Sequence, residues 1–164
     1  MLSRTDCLRL AVLACVALQG CKTLNLPVDG SFIITKETED EVRAVSADEA
    51  HFTYRTFDEE SGGDLKFWTA ALTKNLVDGR GYVLVSATDV KTGGGMQGRE
   101  LLFETTVRGR AMKYLVALFV EKKHVTTFPM RRKEVSEIHV LEYTAEKAVF
   151  DAHAAQVRAS VQKL

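Results

Sequence analysis

The order of periodicities along the chain predicts an α+β fold, a mostly antiparallel β-sheet sandwiched by two amphipathic helices. Three observations carry this reading. Segments that alternate apolar and polar residues occupy the start and the middle of the chain, one helical stripe separates them, and a second helical stripe closes it. The 164 residues are 46% hydrophobic and 27% charged with only 2 prolines, which excludes a disordered or low-complexity chain and suits one domain with a real core. Lys+Arg and Asp+Glu both number 22, so the formal charge is zero and no basic field exists to gather phosphates; nucleic acid is not an expected partner.

The elements follow in order. Phe32 to Lys36, Glu41 to Ser46 and Ala50 to Phe57 read as half-buried antiparallel strands, the last alternating Phe52 and Tyr54 with His51, Thr53 and Arg55. Asp58 to Gly63 reads as a turn. Asp64 is placed to cap a helix whose Leu65, Trp68, Leu72 and Leu76 recur every three or four residues, and Gly79-Arg80-Gly81 stops it near Asp78. Tyr82 to Val85 is apolar without alternation, as a central strand covered on both faces would be. A loop around Thr92 to Gly95 leads to a strand over Arg99 to Arg108, with a hairpin turn at Arg108-Gly109-Arg110 and a strong strand over Ala111 to Val120. Glu121-Lys122-Lys123 is expected to turn the chain into a short strand, His124 to Phe128, ended by Pro129. Met130 to Ser136 reads as a basic loop and Ile138 to Tyr143 as the last strand. Thr144 is expected to cap a helix with the stripe Phe150, Ala154, Val157, Val161 and Leu164.

The first twenty residues read as an address. Arg4 and Arg9 precede the nine-residue apolar run Leu10 to Leu18, the layout of a signal peptide and too short for a spanning helix of about 20 residues. The junction Leu18-Gln19-Gly20-Cys21 resembles the lipobox of bacterial lipoproteins. That resemblance implies cleavage before Cys21, attachment of diacylglycerol to its thiol and acylation of the new amino terminus. Cysteine arithmetic agrees: of Cys7, Cys15 and Cys21, cleavage leaves only the last, so no intramolecular disulfide can form. Two or three acyl chains make anchoring effectively permanent, because each buried CH₂ contributes roughly 0.8 kcal/mol. Lys22 after the Cys, rather than the Asp that favours inner-membrane retention, points to the periplasmic face of the outer membrane. Residues 21–30, with Pro27 and Gly30, read as a tether, and residues 31–164 as a single α+β domain.

The layout of that domain resembles the superfamily of PsbP-like and Mog-type proteins, an α/β/α sandwich. The resemblance rests on element order and on segments such as Gly98-Arg-Glu-Leu-Leu-Phe103 before a strand and Val140-Leu-Glu-Tyr-Thr144 before the last helix. It implies an accessory or assembly role rather than catalysis, and it carries over no functional residue.

Chemistry-bearing motifs are sparse. Gly93-Gly94-Gly95-Met96-Gln97-Gly98 spells GxGxxG, but Arg99 to Val107 alternates with period two, so no helix follows to supply amides and a dipole for phosphate. His51, His124, His139 and His153 form no close metal-binding pair, although His124 and His139 would become neighbours if their strands paired in the right register. Gly-x-Ser-x-Gly is absent. Asp58, Glu59, Glu60 and Asp64 read as a solvated turn with a capping acid. Lys122, Lys123, His124, Arg131, Arg132 and Lys133 flank one strand and offer a basic edge, with Phe128-Pro129-Met130 as an adjoining apolar contact.

The expected protein is therefore a lipid-anchored periplasmic module, non-catalytic and without cofactor or metal, that binds an envelope protein. Two alternatives stand beside it. One is a small-ligand carrier or small hydrolase with a pocket between sheet and helix, and the other a pilotin-like chaperone of an outer-membrane complex.

Overall fold

The computed structural model describes residues 31–60, 62–127 and 131–164, with only the backbone at 127 and 131. The leader, the tether with Cys21, Ser61 and the Phe128-Pro129-Met130 segment lie outside the described residues. The elements are β1 (Phe32–Glu37), β2 (Glu41–Ser46), β3 (His51–Glu59), α1 (Leu65–Arg80), β4 (Val83–Lys91), β5 (Gln97–Val107), β6 (Arg110–Thr127), β7 (Arg131–Glu146) and α2 (Lys147–Val161). The strands form one antiparallel seven-stranded sheet in the order β1-β2-β3-β7-β6-β5-β4.

Alternation along the strands assigns the two faces. Leu115, Ala117 and Phe119 of β6 and Leu141 and Tyr143 of β7 point to one side, where Phe150, Ala154, Val157 and Val161 of α2 cover them together with Phe52 of β3. The residues between them, Val116, Leu118, Ile138 and Val140, point to the other side and meet Leu65, Trp68 and Leu72 of α1. Leu76 continues that layer onto Leu101 and Phe103. Each such side chain, fully buried, contributes about 1.5–3 kcal/mol. The helices thus sit on opposite faces, and the sheet extends well past both.

Local chemistry explains the boundaries. Asp64 is extended (φ −86°, ψ 175°) and its carboxylate accepts from Phe67 N–H at 2.8 Å, the expected cap of α1. Gly81 ends that helix in the left-handed region at φ 70°. Arg108 (φ 51°) and Gly109 (φ 79°) both take positive φ between the paired Val107 and Arg110, which is a two-residue primed hairpin turn. Salt links hold α2 down. Arg158 grips the buried Glu100 of β5 through Nε at 3.0 and 3.1 Å and Nη2 at 2.8 Å, and Lys113 reaches Asp151 at 2.6 Å.

Four local expectations are corrected. Tyr82 to Val85 does not belong to a central strand: β4 is an edge, with Val83 63% and Val85 50% exposed, because a short apolar run records composition rather than burial. Glu121 to Lys123 is not a turn, and the part of the expected Met130 to Ser136 loop that is described, 131–136, is strand. β6 and β7 run on as one long hairpin, and their residues become charged where the neighbouring strands stop. β5 pairs with β6 only as far as Phe119, and β3 pairs with β7 only as far as Ser136. Beyond those points a two-stranded arm projects whose described residues are mostly exposed, Val135 at 4% being the buried exception, so polarity marks lost cover rather than a chain reversal. Thr144 caps no helix; it lies in β7, where its hydroxyl donates to Lys113 C=O at 3.1 Å. Both edge strands shift register, β1 between Ile34 and Lys36 and β4 between Leu84 and Ser86, irregularities of the kind that discourage edge-to-edge pairing.

Candidate functional site

The arm carries the predicted basic residues but divides them. Cross-strand register places His124 opposite Glu134, Lys123 opposite Val135 and Lys122 opposite Ser136. Lys122 and His124 share the α1 side of the ribbon, whereas Lys123 and Lys133 share the α2 side. Lys122 bonds Glu134 at 2.6 Å, Lys123 bonds Glu137, and Lys133 bonds Glu60 just past the end of β3. His124 and Arg132 are exposed, and the Arg131 side chain lies outside the described residues. The arm is therefore a ribbon of interleaved charge rather than one uniform basic edge, and exposed pairs of this kind each contribute no more than about 1 kcal/mol.

A different constellation sits at the root of the arm on the α2 face, where helix cover ends. It consists of Tyr54 of β3, Glu121 of β6, and Glu137 and His139 of β7. Glu121 and Glu137 are direct cross-strand partners, and His139 follows Glu137 by two residues on the same face. The Tyr54 hydroxyl lies 2.7 Å from His139 Nδ1. Glu137 Oε2 lies 3.2 Å from His139 Nε2 but off the ring N–H direction, so this buried nitrogen has no aligned hydrogen-bond partner. Burial holds the His139 imidazole below the usual histidine range, against the opposing pull of the Glu137 and Glu121 carboxylates. Burial, then the Glu137 charge, pushes the Tyr54 phenol up to about 12.

The remaining sequence candidates resolve differently. His124 and His139 do not meet: the residue opposite His139 is Phe119, five positions along β6 from His124 and about 17 Å away at strand rise, and the two histidines face opposite sides. His153 rests edge-on against the Phe32 ring and pairs with Asp48 at 3.0 Å, joining α2 to the β2–β3 turn.

The glycine motif serves packing. An added Cβ at Gly93 would stand 2.1 Å from Gln162 C=O and one at Gly94 3.0 Å from Leu164 C=O, so these glycines let the loop touch the residues after α2. A Cβ at Gly98 would stand 2.2 Å from the Phe119 ring.

Three surface hollows accompany these features. One of about 580 Å³ is lined by Arg80, Val83, Glu104, Lys113 and Lys147, one of about 550 Å³ by Leu65, Thr69, Asp89 and Arg99, and one of about 410 Å³ by Asp48, Glu49, His51 and Arg110. None of the three contains the Glu137–His139 pair. Among the described residues, no helix is long and apolar enough to cross a membrane.

No family model matches the chain, and no curated protein matches it. Among solved structures, the fold is similar to that of LpqN, described as involved in cell envelope biogenesis of Mycobacterium tuberculosis, with a TM-score of 0.63 and 13% identity over 89% of this chain and 85% of that one. It is also similar to PA94 of Pseudomonas aeruginosa, a protein of unknown function suggested to be a regulator, with a TM-score of 0.55 and 15% identity over 82% of this chain and 96% of that one. At such identities the shared property is the fold alone.

Proposed function

We propose that this chain is an envelope lipoprotein, anchored through Cys21 at the periplasmic face of the outer membrane, whose α+β domain is a non-catalytic binding or assembly module for an envelope protein. The observation that carries the reading is the fold shared with LpqN over most of both chains, since LpqN is tied to cell envelope biogenesis. The leader and Leu18-Gln19-Gly20-Cys21 support the same compartment independently. A PsbP- or Mog-type assignment of the sandwich belongs to this reading, supported by the element order and by helices on opposite faces.

The partner-binding surface in this reading is the projecting arm with Lys122, Lys123, His124, Arg131, Arg132 and Lys133. Interleaved charges of both signs suit a partner with a matching pattern better than a uniformly anionic surface, and such complementarity acts mainly on encounter rate and register. Arg132 and Lys133 are exposed, so replacing their charges should leave the sheet folded. The test is affinity recovery of envelope proteins from native membrane extract, with wild type compared against a variant carrying R131Q, R132Q and K133Q. The reading predicts that one or more specific proteins recovered with the wild type fall several-fold in the variant at equal bait. Equal recovery of every co-purifying protein would remove the arm from the account.

A further inference from the structure

We propose that Glu121, Glu137 and His139 form a binding site for a divalent transition-metal ion of zinc-like preference, set on the α2 face at the root of the arm. One ligand atom from each of the three lies within 4.8 Å of the others. The 3.2 Å separation of His139 Nε2 and Glu137 Oε2 matches the edge of a tetrahedron with metal–ligand bonds of about 2.0 Å, which is about 3.3 Å. Glu121 is exposed, so its side chain is free to close the remaining distance.

Two features of the cluster are costly without a cation and are relieved by one. The first is the His139 ring: the residue is 9% exposed, yet its Nε2 has no aligned partner although a Glu137 carboxylate oxygen lies 3.2 Å away. If Nδ1 donates its proton to Tyr54 Oη, Nε2 presents a lone pair to anionic oxygens, which repels them in the free protein and becomes a ligand set when a metal enters. The second is the pair Glu121 and Glu137, like charges directly opposite on adjacent strands, an arrangement that destabilises a sheet. Lys123 answers only part of that charge, because it holds Glu137 Oε1 and leaves Oε2 facing His139.

Ligand chemistry narrows the ion. One imidazole and two carboxylates suit Zn²⁺ or a neighbouring first-row ion, whereas Mg²⁺ and Ca²⁺ prefer all-oxygen cages. Tyr54 is a positioning residue here. It touches no metal but fixes the ring and its tautomer, as the outer partner of a metal-bound histidine ordinarily does. Three protein ligands leave at least one coordination position open toward solvent.

The test titrates the full chain in detergent, stripped of metal, with ZnCl₂, CoCl₂ and MgCl₂. The proposal predicts one saturable Zn²⁺ site in the micromolar range or tighter. It predicts Co²⁺ absorption without a thiolate charge-transfer band, which separates this nitrogen and oxygen site from binding at any free cysteine, and no saturation by Mg²⁺ at matched concentrations. E121Q, at an exposed position that leaves the fold intact, should weaken Zn²⁺ by at least about tenfold, and Y54F by about 10–100-fold. H139Q should abolish the site, with its melting curve recorded alongside. Absence of a saturable Zn²⁺ isotherm, a thiolate-type cobalt spectrum unchanged by E121Q, or equal affinity in wild type and E121Q would each overturn it.

Discussion

Substituting Gly98 by alanine should destabilise the domain by about 3 kcal/mol, the upper end for an overpacked core. Gly98 and Phe119 are partners across β5 and β6, and the Phe119 ring covers the glycine. An ideal Cβ at position 98 would lie 2.2 and 2.4 Å from Phe119 Cδ1 and Cε1 and 2.7 Å from Leu118 C=O. Favourable carbon–carbon contacts lie near 3.5–4.0 Å, so the overlap exceeds about 1 Å on the ring alone. Neither neighbour yields easily. Phe119 is 0% exposed inside the α2-facing core, and the Leu118 carbonyl belongs to the strand backbone. A domain of about 130 residues loses roughly 4 °C in Tm per kcal/mol, so G98A should melt about 12 °C below wild type. The assay is thermal unfolding by circular dichroism, with F119L and G98A/F119L completing a double-mutant cycle. Because leucine withdraws the ring, the double variant should be more stable than the two single losses predict, by at least about 1 kcal/mol. A G98A Tm within about 2 °C of wild type, or strict additivity in the cycle, would refute the packing account of this glycine.

The Arg158–Glu100 clasp gives a second test. R158M should cost about 1–3 kcal/mol in urea unfolding, because it strands a buried carboxylate, while E100L/R158M should recover most of that loss by removing both charges. If metal enters at Glu121, Glu137 and His139, Zn²⁺ at about 100 times its wild-type Kd should raise stability by about 2.7 kcal/mol in wild type and by about 1.4 kcal/mol or less in E121Q; equal gains would contradict that assignment.

Much of the fold was legible because it depends on local periodicity. Phe32, Phe52, Tyr54, Leu115 and Ala117 sit where alternation put them, and the Phe150-Ala154-Val157-Val161 stripe faces the sheet as its spacing required. The hairpin at Arg108-Gly109 was legible from Gly109 between two alternating runs, since glycine takes positive φ without a Cβ clash. What failed depends on where strands end relative to their neighbours, which no local pattern records. Glu121-Lys122-Lys123 resembles a turn in composition, yet it continues a strand that has outrun β5.

That single misreading also hid the Glu121–Glu137–His139 cluster. Every β6–β7 pair is symmetric about position 129, so a chain reversal placed there brings Glu121 opposite Glu137, whereas one placed at 121–123 separates them. The signal that could have found the site was the charged composition on either side of Pro129, with Glu121 and Glu137 at equal distance from it along the sequence. The basic residues at 122–124 and 131–133 were visible as a group. Their pairing with Glu134, Glu137 and Glu60 was not, because it arises from cross-strand register and from β3 passing beside β7.

The account of function turns on covalent attachment at the start of the mature chain, and the intact mass of protein extracted from native membranes tests it most directly. The predicted species lacks residues 1–20 and carries a diacylglyceryl group on Cys21 with an acylated amino terminus. A mass that retains the leader, or that shows an unmodified thiol at Cys21, would contradict the account.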